Sequence, residues 1–87
     1  MTEAPNPYYN SPQVTPAKIR YWVRLSCGFY RHGNMQYHTL ILREVQVSED
    51  APWADFYEDL LSCFRREYML DADCPLFVVS DDIRELE

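Results

Sequence analysis

From Lys18 to Tyr30 the chain alternates without a break: Ile19, Tyr21, Val23, Leu25, Cys27 and Phe29 are interleaved with Lys18, Arg20, Trp22, Arg24, Ser26 and Gly28. Only a backbone that turns successive side chains to opposite faces sorts such a pattern, so the segment is a half-buried strand. The rest of the chain must supply a cover for its apolar face. Arg31-His32-Gly33-Asn34 follows as a turn, in which Gly33 and Asn34 both tolerate positive φ. Met35 to Val47 then returns as the second arm of a long hairpin. Here Tyr37, Ile41, Val45 and Val47 share one parity, and Leu40 and Leu42 the other. Either both faces are partly covered or a bulge switches the facing midway, and the bulge is favoured. A single register throughout would turn Arg43 toward the core, a costly position for an unpaired cation.

Residues 48–70 have the period of a helix. Trp53, Phe56, Tyr57, Leu60, Leu61, Phe64 and Tyr68 form one apolar stripe at i, i+3, i+4, i+7 and i+8 spacing. Ser48 or Asp50 can cap it, and Pro52 suits its first turn, where no intrahelical N–H is needed. Asp55, Glu58 and Asp59 come early and Arg65 and Arg66 late, an order that suits the helix dipole. Asp71-Ala72-Asp73-Cys74-Pro75 breaks the chain. Leu76-Phe77-Val78-Val79 is a short apolar run, hence a strand covered on both faces or nearly so. Ser80 then caps a short terminal helix over Asp81 to Glu87, with Ile83 and Leu86 on one side. The expected fold is a small α+β domain, β-β-α-β, with one long helix across a three-stranded sheet. The spatial order of the strands is open, although a β-α-β connection favours a parallel, right-handed crossover.

The 87 residues make one domain spanning 18–87, preceded by a proline-rich arm over 1–17. Pro5, Pro7, Pro12 and Pro16 deny that arm helical and ladder bonding, while Tyr8 and Tyr9 can anchor it on a surface. A hydrophobic content of 47% excludes a disordered chain. No apolar stretch approaches the roughly 18 residues of a membrane span. With no basic-then-apolar leader at the N-terminus, a cytoplasmic protein is expected. Three cysteines without a C-x-x-C encode neither a disulfide framework nor a zinc knuckle, and point to a reducing compartment. The two glycines form no phosphate-binding string.

Catalysis needs a reactive group held by a partner of suitable pKa. Cys27 and His38 can be cross-strand neighbours, but Cys27 belongs to the apolar set of its strand, and buried cysteines are inert. Asp81 and Asp82, or Asp71 and Asp73, lack the loop that frames a calcium ion, so they are read as solvated turns. No cofactor, metal or catalytic constellation is expected.

Charge is distributed unevenly. The formal net charge of −6 divides into +3 over residues 1–48, with five basic and two acidic residues, and −9 over 49–87, with three and twelve. Such separation suits partners chosen by field as well as shape. Two surfaces follow from it. One is the acidic outer face of the helix: Glu49, Asp50, Asp55, Glu58 and Asp59. A carboxylate array of this density can dock on a basic groove and imitate phosphates. The other is the polar face of the first strand: Lys18, Arg20, Trp22, Arg24 and Tyr30. A tryptophan flanked by arginines resembles a binding hot spot, and the same trio can stack bases and neutralise phosphates.

Together these features describe a small acidic non-catalytic protein-binding module, an inhibitor or regulator that occludes a site on a nucleic-acid-handling protein complex. Small acidic chains of this kind are common among phage-encoded and other mobile-element counter-defence inhibitors, an analogy of class and not a family match. The alternatives are a nucleic-acid-binding module using the basic aromatic face, and a self-assembling adaptor whose basic and acidic faces meet head to tail. The overall pI of about 4.7 weighs against a dedicated nucleic-acid reader.

Overall fold

The protein is described by a computed structural model over residues 16–87. Its elements are β1 (Lys18–Arg31), β2 (Asn34–Ser48), α1 (Trp53–Glu67) and β3 (Phe77–Glu85). β1 is the central strand, with β2 and β3 antiparallel to it on either side. β2 and β3 therefore run parallel to each other, as strands joined through a helix are expected to. The small α+β domain is as anticipated. The proline-rich arm lies, apart from Pro16 and Ala17, outside the described residues.

The hairpin closes on two residues, His32 and Gly33, with φ of 53° and 80°. Two consecutive positive φ values match the right-handed twist of the flanking strands. Gly33 is one of the two positions expected to take positive φ; the other is His32 and not Asn34, which instead begins β2 opposite Arg31. The bulge lies where the apolar parity changes. Tyr21 faces Val45, but Val23 faces Leu42, so β2 carries one extra residue opposite Trp22. This insertion brings Leu40 and Leu42 to the same face as Val45 and Val47, and leaves Arg43 exposed.

α1 lies across that face. Val23, Leu25, Cys27 and Phe29 of β1, with Leu40 of β2, bury against Phe56, Leu60 and Phe64. The phenyl ring of Phe64 meets Phe29 edge-on at 6.0 Å and Tyr68 at 4.8 Å. The helix is also tied to the sheet by polar groups at its far end. Tyr68 donates its hydroxyl to the Thr39 carbonyl at 2.9 Å, and Arg31 donates to the Tyr68 carbonyl.

Both helix ends differ from expectation. Neither Ser48 nor Asp50 caps α1: residues 48–52 form a turn, and the Pro52 carbonyl accepts from the Asp55 and Phe56 amides. At the other end the Leu70 amide bonds to the Arg65 carbonyl and the Met69 amide to the Arg66 carbonyl. That is the Schellman arrangement, and it holds Met69 at φ 56°, where glycine is preferred. Met69 is 90% exposed, so its side chain contributes little packing. Met69→Gly is therefore expected to stabilise the fold by about 0.5–1 kcal/mol, visible as a rise in the thermal midpoint.

The terminal helix over Asp81–Glu87 does not form. β3 continues through that segment to Glu85, pairing Trp22 with Arg84 and Arg24 with Asp82. The Leu86 amide still bonds to the Arg20 carbonyl at 2.7 Å. β1 offers a full ladder edge there, and pairing satisfies backbone groups that a short helix would leave open. Nor is the Phe77–Val79 run covered on both faces. All three residues are exposed on the edge strand, and a second irregularity leaves Val79 without an opposite residue.

Candidate protein-interaction surfaces

Because α1 covers only one side of the sheet, the domain presents two unlike surfaces. On the outer side of α1, Asp55, Glu58 and Asp59 are all exposed. None of the three has an ion-pair or side-chain hydrogen-bond partner among the described residues. They straddle the helix. Asp55 and Asp59 border a groove of about 210 Å³ against β2, floored by Val45, Val47, Phe56 and Leu60. Glu58 borders a second cleft on the β3 side, with Trp53, Tyr57 and Asp81.

Glu49 and Asp50 sit beside this face but are occupied differently. The Glu49 carboxylate accepts the Ala17 amide at 3.2 Å, while the Glu49 amide donates to the Ala17 carbonyl at 2.9 Å. Asp50 accepts the Ser48 hydroxyl at 2.6 Å. Glu49 ties the β2–α1 turn to the residue before β1, and Asp50 makes its bond within the turn.

The open face of the sheet gathers Lys18, Arg20, Trp22, Arg24 and Tyr30, as their shared parity on β1 requires. Its arginines, though not Lys18, each have a carboxylate nearby. Arg20 lies 3.7 Å from Glu44, and Asp82 receives Arg24 at 3.6 Å and Arg84 at 2.9 Å. The hydrogen bond from Arg84 holds the Asp82 carboxyl below the usual carboxylate range. The Arg84 guanidinium also lies over the Trp22 ring, 5.4 Å from its centroid, so the indole is half-buried. Neither Asp82 nor Arg84 was expected on this surface, because the segment that carries them was read as helix.

The hairpin end of the same face is aromatic. Tyr30 and Phe77 meet edge to face at 6.3 Å, and Tyr37 lies across Gly28. A Cβ at Gly28 would come within 2.7 Å of the Tyr37 ring, so only glycine lets that ring rest on the strand.

The remaining candidate chemistry centres on Cys27. It does pair with His38 across β1 and β2. The thiol is nevertheless fully buried, and desolvation pushes its pKa up to about 11. An activated cysteine needs the opposite shift. His38 stacks on Tyr68 at 4.7 Å and on Phe29 at 5.5 Å. A thiol reagent is expected to modify Cys63 and Cys74, both half-buried, quickly in the native protein, and Cys27 only after unfolding. Among the described residues no three His, Cys, Asp or Glu side chains gather as a metal site. Asp81 and Asp82 cannot act as a pair, since they point to opposite faces of β3.

The same burial implies a pH dependence. Tyr57, desolvated and donating to Asp81, has its pKa pushed up to about 12. Cys27 and Tyr57 hold their protons in the folded state above the pH at which the unfolded chain releases them. Stability is thus complete below about pH 9 and declines as pH rises from there toward 12. Thermal melts between pH 7 and 11 should show a falling midpoint, and the Tyr57→Phe, Cys27→Ser pair should flatten the decline.

No family model, curated protein or solved structure matches the chain. Among the described residues no helix is long and apolar enough to cross a membrane.

Proposed function

We propose that this chain is a small non-catalytic protein-binding module, an inhibitor or regulator that acts by occupying a basic surface on a nucleic-acid-handling partner. One contrast carries it: the arginines Arg20, Arg24 and Arg84 of the open sheet are taken up by carboxylates of the same fold, whereas Asp55, Glu58 and Asp59 on α1 are left to solvent. These exposed pairs cost little to part, but a nearby carboxylate weakens the net field that each arginine presents to a partner. An unmatched array offers its whole field. Carboxylates spaced along a rigid helix can meet cations that otherwise hold phosphates, so the mechanism is steric and electrostatic occlusion. The groove between α1 and β2, bordered by Asp55 and Asp59, adds contact area to what charge steers into place.

The test is affinity capture from the encoding organism's lysate, divided into nuclease-treated and untreated halves. The expected result is one protein or complex retained in near-stoichiometric yield after nuclease and released by raised salt. Enrichment that disappears with nuclease would transfer the function to the sheet face, as a nucleic-acid reader.

A further inference from the structure

The cleft on the β3 side of α1 differs chemically from the rest of the acidic face. It is a shallow, open depression lined by Trp53, Ala54, Tyr57, Glu58 and Asp81, wide enough for one side chain laid across it. Trp53 is 57% exposed although it sits on the apolar stripe of the helix. Its ring and that of Tyr57, one helical turn apart, are 6.4 Å apart and inclined by 33°, and both line the depression. The Tyr57 hydroxyl donates to Asp81 Oδ2 at 2.8 Å, which fixes the phenol and leaves Oδ1 open to a second donor. Glu58 supplies another carboxylate at the rim.

Aromatic faces attract cations through their quadrupole, and carboxylates attract them through charge. A planar cation with several N–H donors uses both at once: it stacks on the indole and donates in-plane to the carboxylates. An ammonium has no flat face to stack. The positive end of the α1 dipole, roughly half an elementary charge, opposes any cation here. The full charges of Glu58 and Asp81 outweigh it.

We infer that the Trp53–Tyr57–Glu58–Asp81 cleft receives an arginine side chain of the protein partner. This assignment rests on the protein-binding function proposed above and specifies the chemistry of the partner at one point of contact. Asp55 and Asp59 then steer, while the cleft selects.

The two tryptophans lie on opposite sides of the domain, so their indole N–H resonances report separately on the two faces. The experiment titrates the full chain with acetylated tetra-arginine and follows both resonances by NMR, assigning Trp53 through Trp53→Phe. Tetra-citrulline, isosteric but neutral, and tetra-lysine serve as the comparison probes. The expected result is a saturable shift of the Trp53 indole alone, absent with citrulline and several-fold weaker with lysine. Glu58→Gln, at an exposed position, should weaken the arginine peptide about threefold to tenfold without altering the fold. Equal shifts at both indoles, an equal response to citrulline or lysine, or an affinity unchanged by Glu58→Gln would each overturn the assignment. Failure here is distinct from failure of the protein-binding function. A captured partner that binds Trp53→Ala as well as the parent would refute the arginine site alone, and a positive titration does not depend on capture.

Discussion

A chain carrying Asp55→Lys, Glu58→Lys and Asp59→Lys is expected to lose at least about a hundredfold in affinity for its captured partner while remaining folded. The loss follows from turning three attractive contacts into repulsive ones, where like-charge juxtaposition costs several kcal/mol. The fold should survive because all three side chains are exposed and touch no partner within the described residues. It should not be wholly indifferent. Asp55 stands in the first turn of α1, where a carboxylate favours the helix dipole. Reversal there costs about 0.3–1 kcal/mol, a fall of a few degrees in the midpoint of so small a domain. The reversal also takes the formal net charge from −6 to zero, which invites association. Asp55→Asn, Glu58→Gln, Asp59→Asn provides the control, with a net charge of −3 and an intermediate loss of binding. Unchanged affinity in both triple variants would remove the acidic face from the mechanism.

The largest expected effect on stability is that of Phe64→Ala. Phe64 is fully buried, packs on Phe29 and Tyr68, and closes the helix onto the central strand. Removing a buried phenyl ring costs about 3–5 kcal/mol in transfer and cavity terms together. A domain of this size hides only about 60% of its surface, so such a loss approaches its whole stability. The urea midpoint should fall by about 2–3 M, or the variant should be largely unfolded without denaturant. Phe77→Ala is the comparison. Phe77 is half exposed on the open face, and its truncation should cost about 1 kcal/mol or less. Equal losses from the two substitutions would mean that α1 does not cover the sheet as described.

These contrasts bear on what could be inferred before the fold was known. β1 was legible because its alternation is uninterrupted, and α1 because its stripe and charge order agree. The bulge in β2 could be located from the change of parity between Leu42 and Val45, since only an inserted residue puts both on one face. Beyond Val79 the chain is strand where the sequence predicts a helix. Ser80, Asp81 and Asp82 look like a helix cap and first turn, and Ile83 and Leu86 fall at the spacing of one helical side. What decides the segment is cross-strand: Asp82 reaches Arg24, and Arg84 covers Trp22. Such pairings are non-local and leave no period along the chain. That expectation also hid the carboxylates that match the sheet arginines, so the two candidate faces stood closer to equal than they do in the fold. Spacing alone places Trp53 and Tyr57 on the apolar stripe. A three-stranded sheet is wide enough to bury Phe56, Leu60 and Phe64 and part of Tyr57, but it leaves Trp53 at the start of the helix exposed. The surplus of aromatic residues over what so small a core can hold was the signal that some would lie outside it.

The most direct measurement is carboxylate footprinting of the chain alone and in complex with its captured partner. Exposed carboxyl groups are coupled to an amine with a carbodiimide, and each site is quantified by mass spectrometry. Protection of Asp55, Glu58 and Asp59 on binding, with Asp71 and Asp73 modified as fully as in the free chain, is the predicted result. Protection centred on Glu44 and Asp82, with the three helix carboxylates still reactive, would place the partner on the open sheet and contradict the account.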